Sequence, residues 1–116
     1  MEHVNIFDWD SIETKYPIPN NPTLGVKIVN GENMQMVWAR YESGTSYKLH
    51  SHSREQFSFM LTGRMKLKVG SITKEIKAGD IWYVPSNVVH GGEALGDDPI
   101  IFVDIYSPPN PDLKIL

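Results

Sequence analysis

Turn-forming residues punctuate this chain every eight to twelve positions, and the stretches between them favour extended backbone. Asn30-Gly31 separates Val26-Lys27-Ile28-Val29 from Met34-Gln35-Met36-Val37-Trp38, which predicts a tight type I′ hairpin. Gly70-Ser71 plays a similar part between Met65-Lys66-Leu67-Lys68-Val69 and Ile72-Thr73-Lys74-Glu75-Ile76. In the first of these arms Met65, Leu67 and Val69 alternate with lysines, so its sheet has one wet face. Ala78-Gly79-Asp80 and Pro85-Ser86-Asn87 bracket Ile81 to Val84, and the strand Ile100 to Tyr106 is stopped by Ser107-Pro108-Pro109. Helical periodicity is missing. Asp8 to Tyr16 admits one short turn, capped by Asp8 or Asp10 and ended by Pro17 and Pro19. So many short antiparallel strands predict an all-β sandwich, barrel or jelly roll.

At 116 residues the chain holds one core. Its expected parts are an N-terminal extension (1–23) that offers an added strand or a dimer contact, a β-barrel (24–109) and a C-terminal tail (110–116). A formal charge of −3 argues against a nucleic-acid partner. Residues 48–77 are locally basic, with seven Lys/Arg against two Glu, and Lys66, Lys68, Lys74 and Lys77 are expected on the solvent side of a hairpin. Cysteine is absent, which removes disulfides and thiolate chemistry together. Met1-Glu2-His3-Val4-Asn5 lacks an apolar leader, and no stretch has the length of a membrane span. A cytoplasmic protein without a membrane partner is therefore expected.

Two strands are apolar on both faces. Phe57, Phe59 and Leu61 alternate with Ser58 and Met60, and Ile101, Val103 and Ile105 alternate with Phe102, Asp104 and Tyr106. One face can line a barrel; the other needs cover, and an extended outer apolar patch usually marks an oligomer interface. A homodimer is expected.

Chemistry concentrates in His50-Ser51-His52-Ser53-Arg54-Glu55-Gln56. On an extended strand residues i and i+2 face the same way, so His50 and His52 can converge on one borderline divalent metal. His90 is the third candidate ligand, and His3 is assigned to an exposed tail. The spacing Gly44, five residues, His50, one, His52, three, Gln56, six, Gly63 is followed by Gly79, five residues, Pro85, four, His90. This resembles the two motifs of the cupin superfamily, G-x5-H-x-H-x3,4-E-x6-G and G-x5-P-x-G-x2-H-x3-N. Gln56 stands at the usual Glu, Asn87 at the second-motif Gly and Ala94 at its terminal Asn. Asn tolerates left-handed backbone angles, so Asn87 is a mild change. Gln56 matters more, because a neutral oxygen replaces an anionic one. The resemblance implies a small single-domain cupin jelly-roll barrel. It also implies that His50, His52, Gln56 and His90 surround one divalent ion (Zn, Ni, Fe, Mn or Co), with Glu55 as the competing ligand.

Asp104 interrupts an otherwise apolar strand, in phase with Phe102 and Tyr106. A carboxylate there is costly unless it is paired or faces a wet cavity. It is either a proton carrier near the metal or an acceptor of structural hydrogen bonds. His-Ser-His-x-x-Glu-Gln, Pro-x-Asn-Val-x-His-Gly and Asp-x-Tyr-Ser-Pro-Pro look like the pectin-degradation cupins that convert a 4,5-unsaturated monouronate to its linear keto form. That resemblance implies a catalytic Asp104 and a substrate-binding Tyr106. The family's arginine after Pro-Pro is Asn110 here, which leaves Arg40 or Arg54 to bind a substrate carboxylate. A cupin dioxygenase and a non-enzymatic sugar-binding module are the alternatives.

Overall fold

The computed structural model describes residues 4–18 and 20–109. Among them nine strands form: β1 (Leu24–Asn30), β2 (Gln35–Tyr41), β3 (Ser46–His50), β4 (Glu55–Thr62), β5 (Arg64–Val69), β6 (Ile72–Lys77), β7 (Ile81–Val84), β8 (His90–Leu95) and β9 (Ile100–Ser107). They make two antiparallel sheets, β1-β2-β9-β4-β7 and β3-β8-β5-β6. The all-β expectation holds. The described helical structure is a single 3-10 turn, Trp9–Ser11, whose N-terminus is capped by the Asp8 carboxylate accepting from the Asp10 amide at 3.2 Å. No helix among the described residues is long and apolar enough to cross a membrane.

Alternation explains the core. Met65 and Leu67 are buried between exposed Lys66 and Lys68, as side chains on opposite faces of one strand must be. Val37, Ala39 and Tyr41 from β2 and Ile100, Phe102 and Tyr106 from β9 meet them from the other sheet. Tyr41 lies edge-on to Phe102 with ring centroids 5.1 Å apart, one of the geometries aromatic pairs favour. Gly63 has φ +87°, and a Cβ there would stand 2.6 Å from Ile100 Cγ2. Only glycine lets β4 turn into β5 that close to the core.

Gly70-Ser71 forms the expected two-residue hairpin: Val69 pairs with Ile72, and Gly70 takes φ +57°. The Asn30-Gly31 turn does not form as expected. The ladder closes at Asn30 and Gln35, leaving a four-residue loop, and neither Asn30 nor Gly31 has a positive φ. The reason is local. Gln35 is buried, and its side-chain amide donates to Asn30 Oδ1 at 3.0 Å, so Asn30 serves the end of the ladder rather than the centre of a turn.

The outer face of the five-stranded sheet is unevenly covered. Trp9 meets Trp38 edge-on at 5.4 Å, and Lys15 bridges to Val26, so the N-terminal segment lies along β1 and β2. Phe57 and Leu61 on β4 and Ile81 on β7 stay open to solvent, Ile81 at 71% exposure.

Candidate metal centre

Two sheets contribute to one polar cluster in the barrel. His50 ends β3, His90 begins β8, and the ladder sets them opposite one another. His52 follows in the loop to β4. That loop is tied down by Asn87, whose amide donates to the His52 carbonyl at 2.7 Å. Asn87 holds φ +65°, the left-handed conformation its place in the motif requires.

Ring centroids of His50 and His90 lie 4.3 Å apart, and those of His52 and His90 4.9 Å. One ring nitrogen from each of the three histidines lies within 4.8 Å of the others, a group positioned to hold a metal ion. The other nitrogen is engaged each time. Nδ1 faces the main-chain carbonyl of Lys48 for His50 (2.8 Å), of Arg54 for His52 (2.9 Å) and of Val88 for His90 (3.0 Å). A carbonyl only accepts, so Nδ1 carries the proton and Nε2 keeps its lone pair for a ligand bond. Burial, reinforced by the positive charges of neighbouring groups, lowers the proton affinity of His52 and takes His90 down to about 4. Both are neutral at physiological pH.

Gln56 completes the arrangement from β4. Its Oε1 stands 3.1 Å from His52 Nε2. The amide cannot turn round without loss, because its Nε2 donates to Ser58 Oγ (2.8 Å) and to Asp104 Oδ1 (3.2 Å). Two lone pairs therefore face each other, an arrangement that suits a shared cation and little else. The residues fit a divalent metal. Glu55 points the other way, exposed on the outer face, where Tyr83 donates its hydroxyl to it.

Asp104 lies beneath this cluster at 5% exposure. It is opposite Ser58 in the β4–β9 ladder, and Gln56 is opposite Tyr106. Its carboxyl receives the Ser58 hydroxyl, the Gln56 amide and, on Oδ2, the Tyr106 hydroxyl at 3.1 Å. Burial raises its pKa to about 6, against the opposing pull of these hydrogen bonds. Ser58 is the residue that sequence reasoning passed over. Its one signal is a small polar side chain in phase with Gln56 on an apolar strand.

The two candidate arginines separate. Arg40 is out of phase with buried Ala39 and Tyr41, so it lies on the outer face, paired with Glu42 at 3.3 Å. The structure does not bring it to the histidines, and it is withdrawn as a substrate-binding residue. Arg54 lies in the His52 loop, its guanidinium carbon 4.5 Å from the centre of the Tyr106 ring. His3 and Asn110 lie outside the described residues.

This fold and this histidine cluster define a class of protein, and comparison with known sequences agrees. Residues 37–106 match the Cupin domain family. The chain belongs to the cupins. An uncharacterized protein of Streptomyces coelicolor is 26% identical over 84 residues, 72% of this chain and 79% of that protein. Two solved structures share the fold over nearly the whole of both chains. An RmlC-like cupin from Shewanella frigidimarina superposes with a TM-score of 0.81 at 23% identity, over 97% of this chain and 96% of its own. KdgF from Halomonas sp. gives 0.85 at 19% identity, over 96% and 99%.

Proposed function

We propose that this protein is a metal-dependent cupin that isomerises a small unsaturated sugar acid, opening the ring of a 4,5-unsaturated monouronate to its linear keto form. His50, His52, Gln56 and His90 would hold the divalent ion. When bound, the ion supplies Lewis-acid polarisation of substrate hydroxyl and carbonyl oxygens. All four ligands are neutral, which favours chemistry that needs the full charge of the ion.

The reaction is balanced within the substrate. The anomeric hydroxyl loses its proton, the bond from the anomeric carbon to the ring oxygen breaks, and the ring oxygen becomes a keto oxygen. Carbon 4 gains a proton. Nothing else enters or leaves, so one group that takes and returns a proton is enough.

Asp104 is that group, and it is the observation that carries the reading. A buried carboxyl with a pKa of about 6 exists in both protonation states near neutrality. Its Oδ2, beside the Tyr106 hydroxyl, is where the proton is held. Ser58 and Gln56 occupy Oδ1 and fix the carboxyl plane. Tyr106 orients the substrate. The reading also includes a homodimer closed over the open β4–β7 face, and a cytoplasmic setting.

Metal-loaded protein incubated with a 4,5-unsaturated monouronate tests the proposal. The absorbance of the conjugated double bond should fall with time, and the fall should require metal. No loss of absorbance under any metal loading rejects the isomerase, and leaves a binding module of the same fold.

A further inference from the structure

The five-stranded sheet is apolar on its outer side as well as its inner one. Two cross-strand rows run over that side. Met36, Ile105, Phe57 and Tyr83 stand opposite one another in turn, and so do Trp38, Val103, Phe59 and Ile81. Trp9 covers the Trp38 end of the second row. At the far end Phe57, Leu61, Ile81 and Tyr83 are open to solvent. There the face runs on into a cleft of about 280 Å³ between β6 and β7, walled by Leu67, Ile76 and Trp82, with Lys74 alongside.

The segment that precedes Trp9 is the counterpart of this bare end. Val4 and Phe7 project into solvent, and Ile6 is fully exposed. Asp8, Asp10 and Glu13 follow, with no Lys or Arg before Lys15. The arm is therefore apolar and then acidic, opposite in sign to Lys74 beside the cleft.

Area shows why the two belong together. A large apolar side chain covers on the order of 200 Å² when buried, so the open parts of Phe57, Leu61, Ile81 and Tyr83 amount to roughly 400 Å². Val4, Ile6 and Phe7 offer about as much again. A stable interface takes about 800 Å² from each partner. Neither surface reaches that alone, and the two combined do.

We infer that Val4, Ile6 and Phe7 of one protomer pack on the bare β4–β7 end of a second copy, each chain giving its arm and receiving the other's. A two-fold axis along the strands sets the β1–β2 end of one face over the β4–β7 end of the other, so both contacts form at once. The inference rests on the dimer of the proposed function and is independent of the metal and of the isomerisation.

The test is complementation between two full-length variants, read by light scattering at micromolar concentration. Ile6→Glu with Phe7→Glu spoils the arm, and Phe57→Lys with Ile81→Lys spoils the face. Each alone should be monomeric, with the dimer dissociation constant raised at least about 100-fold by the apolar burial lost. Mixed one to one they should dimerise, because one intact arm meets one intact face and the altered arm meets the altered face with opposite charge. An arm variant that dimerises like wild type overturns the inference and leaves the dimer standing. A mixture that stays monomeric overturns it too, as it would if each arm folded onto its own face. A monomeric wild type rejects inference and dimer together. Should either variant not fold, cysteines decide, since the chain has none of its own. Ile6→Cys protein mixed with Ile81→Cys protein and oxidised should give a disulfide joining those two positions, identified by peptide mass. No more of it than Ile6→Cys forms with Lys66→Cys, on the other sheet, overturns the inference.

Discussion

Gln56 Nε2 donates to Asp104 Oδ1 across 3.2 Å, and this contact decides which end of the amide faces the histidines. The acid thus has two connections to the cluster. It orients one member of it, and its own carboxyl sits where a proton can be held. The two are separable by substitution. In Asp104→Asn the remaining oxygen still accepts from Ser58 and Gln56, and the new amide can donate to the Tyr106 oxygen. Metal content should stay at the wild-type level while uronate turnover falls by about 10²–10⁴-fold, the usual worth of a positioned acid–base group. Full activity in this variant removes Asp104 from the chemistry.

Acid should weaken the metal-free fold through its buried histidine, His90. His90 is held down to about 4 against an ordinary value of 6.5, chiefly by burial. The unfolded chain therefore binds more protons than the native one between those values. Stability from this residue is fully present above about pH 6.5 and is lost as pH falls towards 4. Asp104 acts in the opposite sense: raised from 3.8 to about 6, it favours the fold at low pH and loses that contribution as pH rises through the same window. Urea midpoints of metal-free Asp104→Asn should accordingly climb more steeply between pH 4 and 6.5 than those of wild type. Equal slopes contradict the assignment of these protons.

Gly63→Ala should cost on the order of 2 kcal/mol or more, since it combines left-handed strain with an overpacked contact on Ile100. Thermal denaturation measures it. A change within about 0.5 kcal/mol, as for an ordinary surface site, would show that the β4–β5 turn relaxes freely.

Phe57 and Ile81 lie on adjacent strands of the bare outer face. With both replaced by lysine, light scattering should report a monomer that still binds metal, where wild type at micromolar concentration gives a dimer. A wild type that is monomeric under those conditions removes the dimer.

Periodicity carried most of the architecture because burial enforces it. Ile81–Val84 is a strand with the bounds its flanking turns set, and the last strand extends one residue further than expected, to Ser107. Asn30-Gly31 misled because a dipeptide says nothing about Gln35, which holds Asn30 across the ladder. Parity alone would have placed Arg40 outside, since its neighbours Ala39 and Tyr41 are the apolar, inward-facing type. The histidines and Gln56 were legible from motif spacing. The network beneath them was not: Ser58 meets Asp104 only because β4 pairs with β9, a contact between residues far apart in sequence. Arg54 was legible as a candidate, but its seat over Tyr106 depends on the path of a loop.

The account stands on the cluster of His50, His52, Gln56 and His90 as a metal site, and metal analysis tests it most directly. Tag-free protein, supplemented in turn with Fe, Mn, Ni, Co and Zn and then desalted, should retain about one divalent ion per chain with at least one of them. His50→Ala, His52→Ala and His90→Ala should each lose affinity by more than the roughly 10–100-fold typical of disturbing a ligand's supporting contacts. Retention far below one ion per chain with every metal tried would contradict the account.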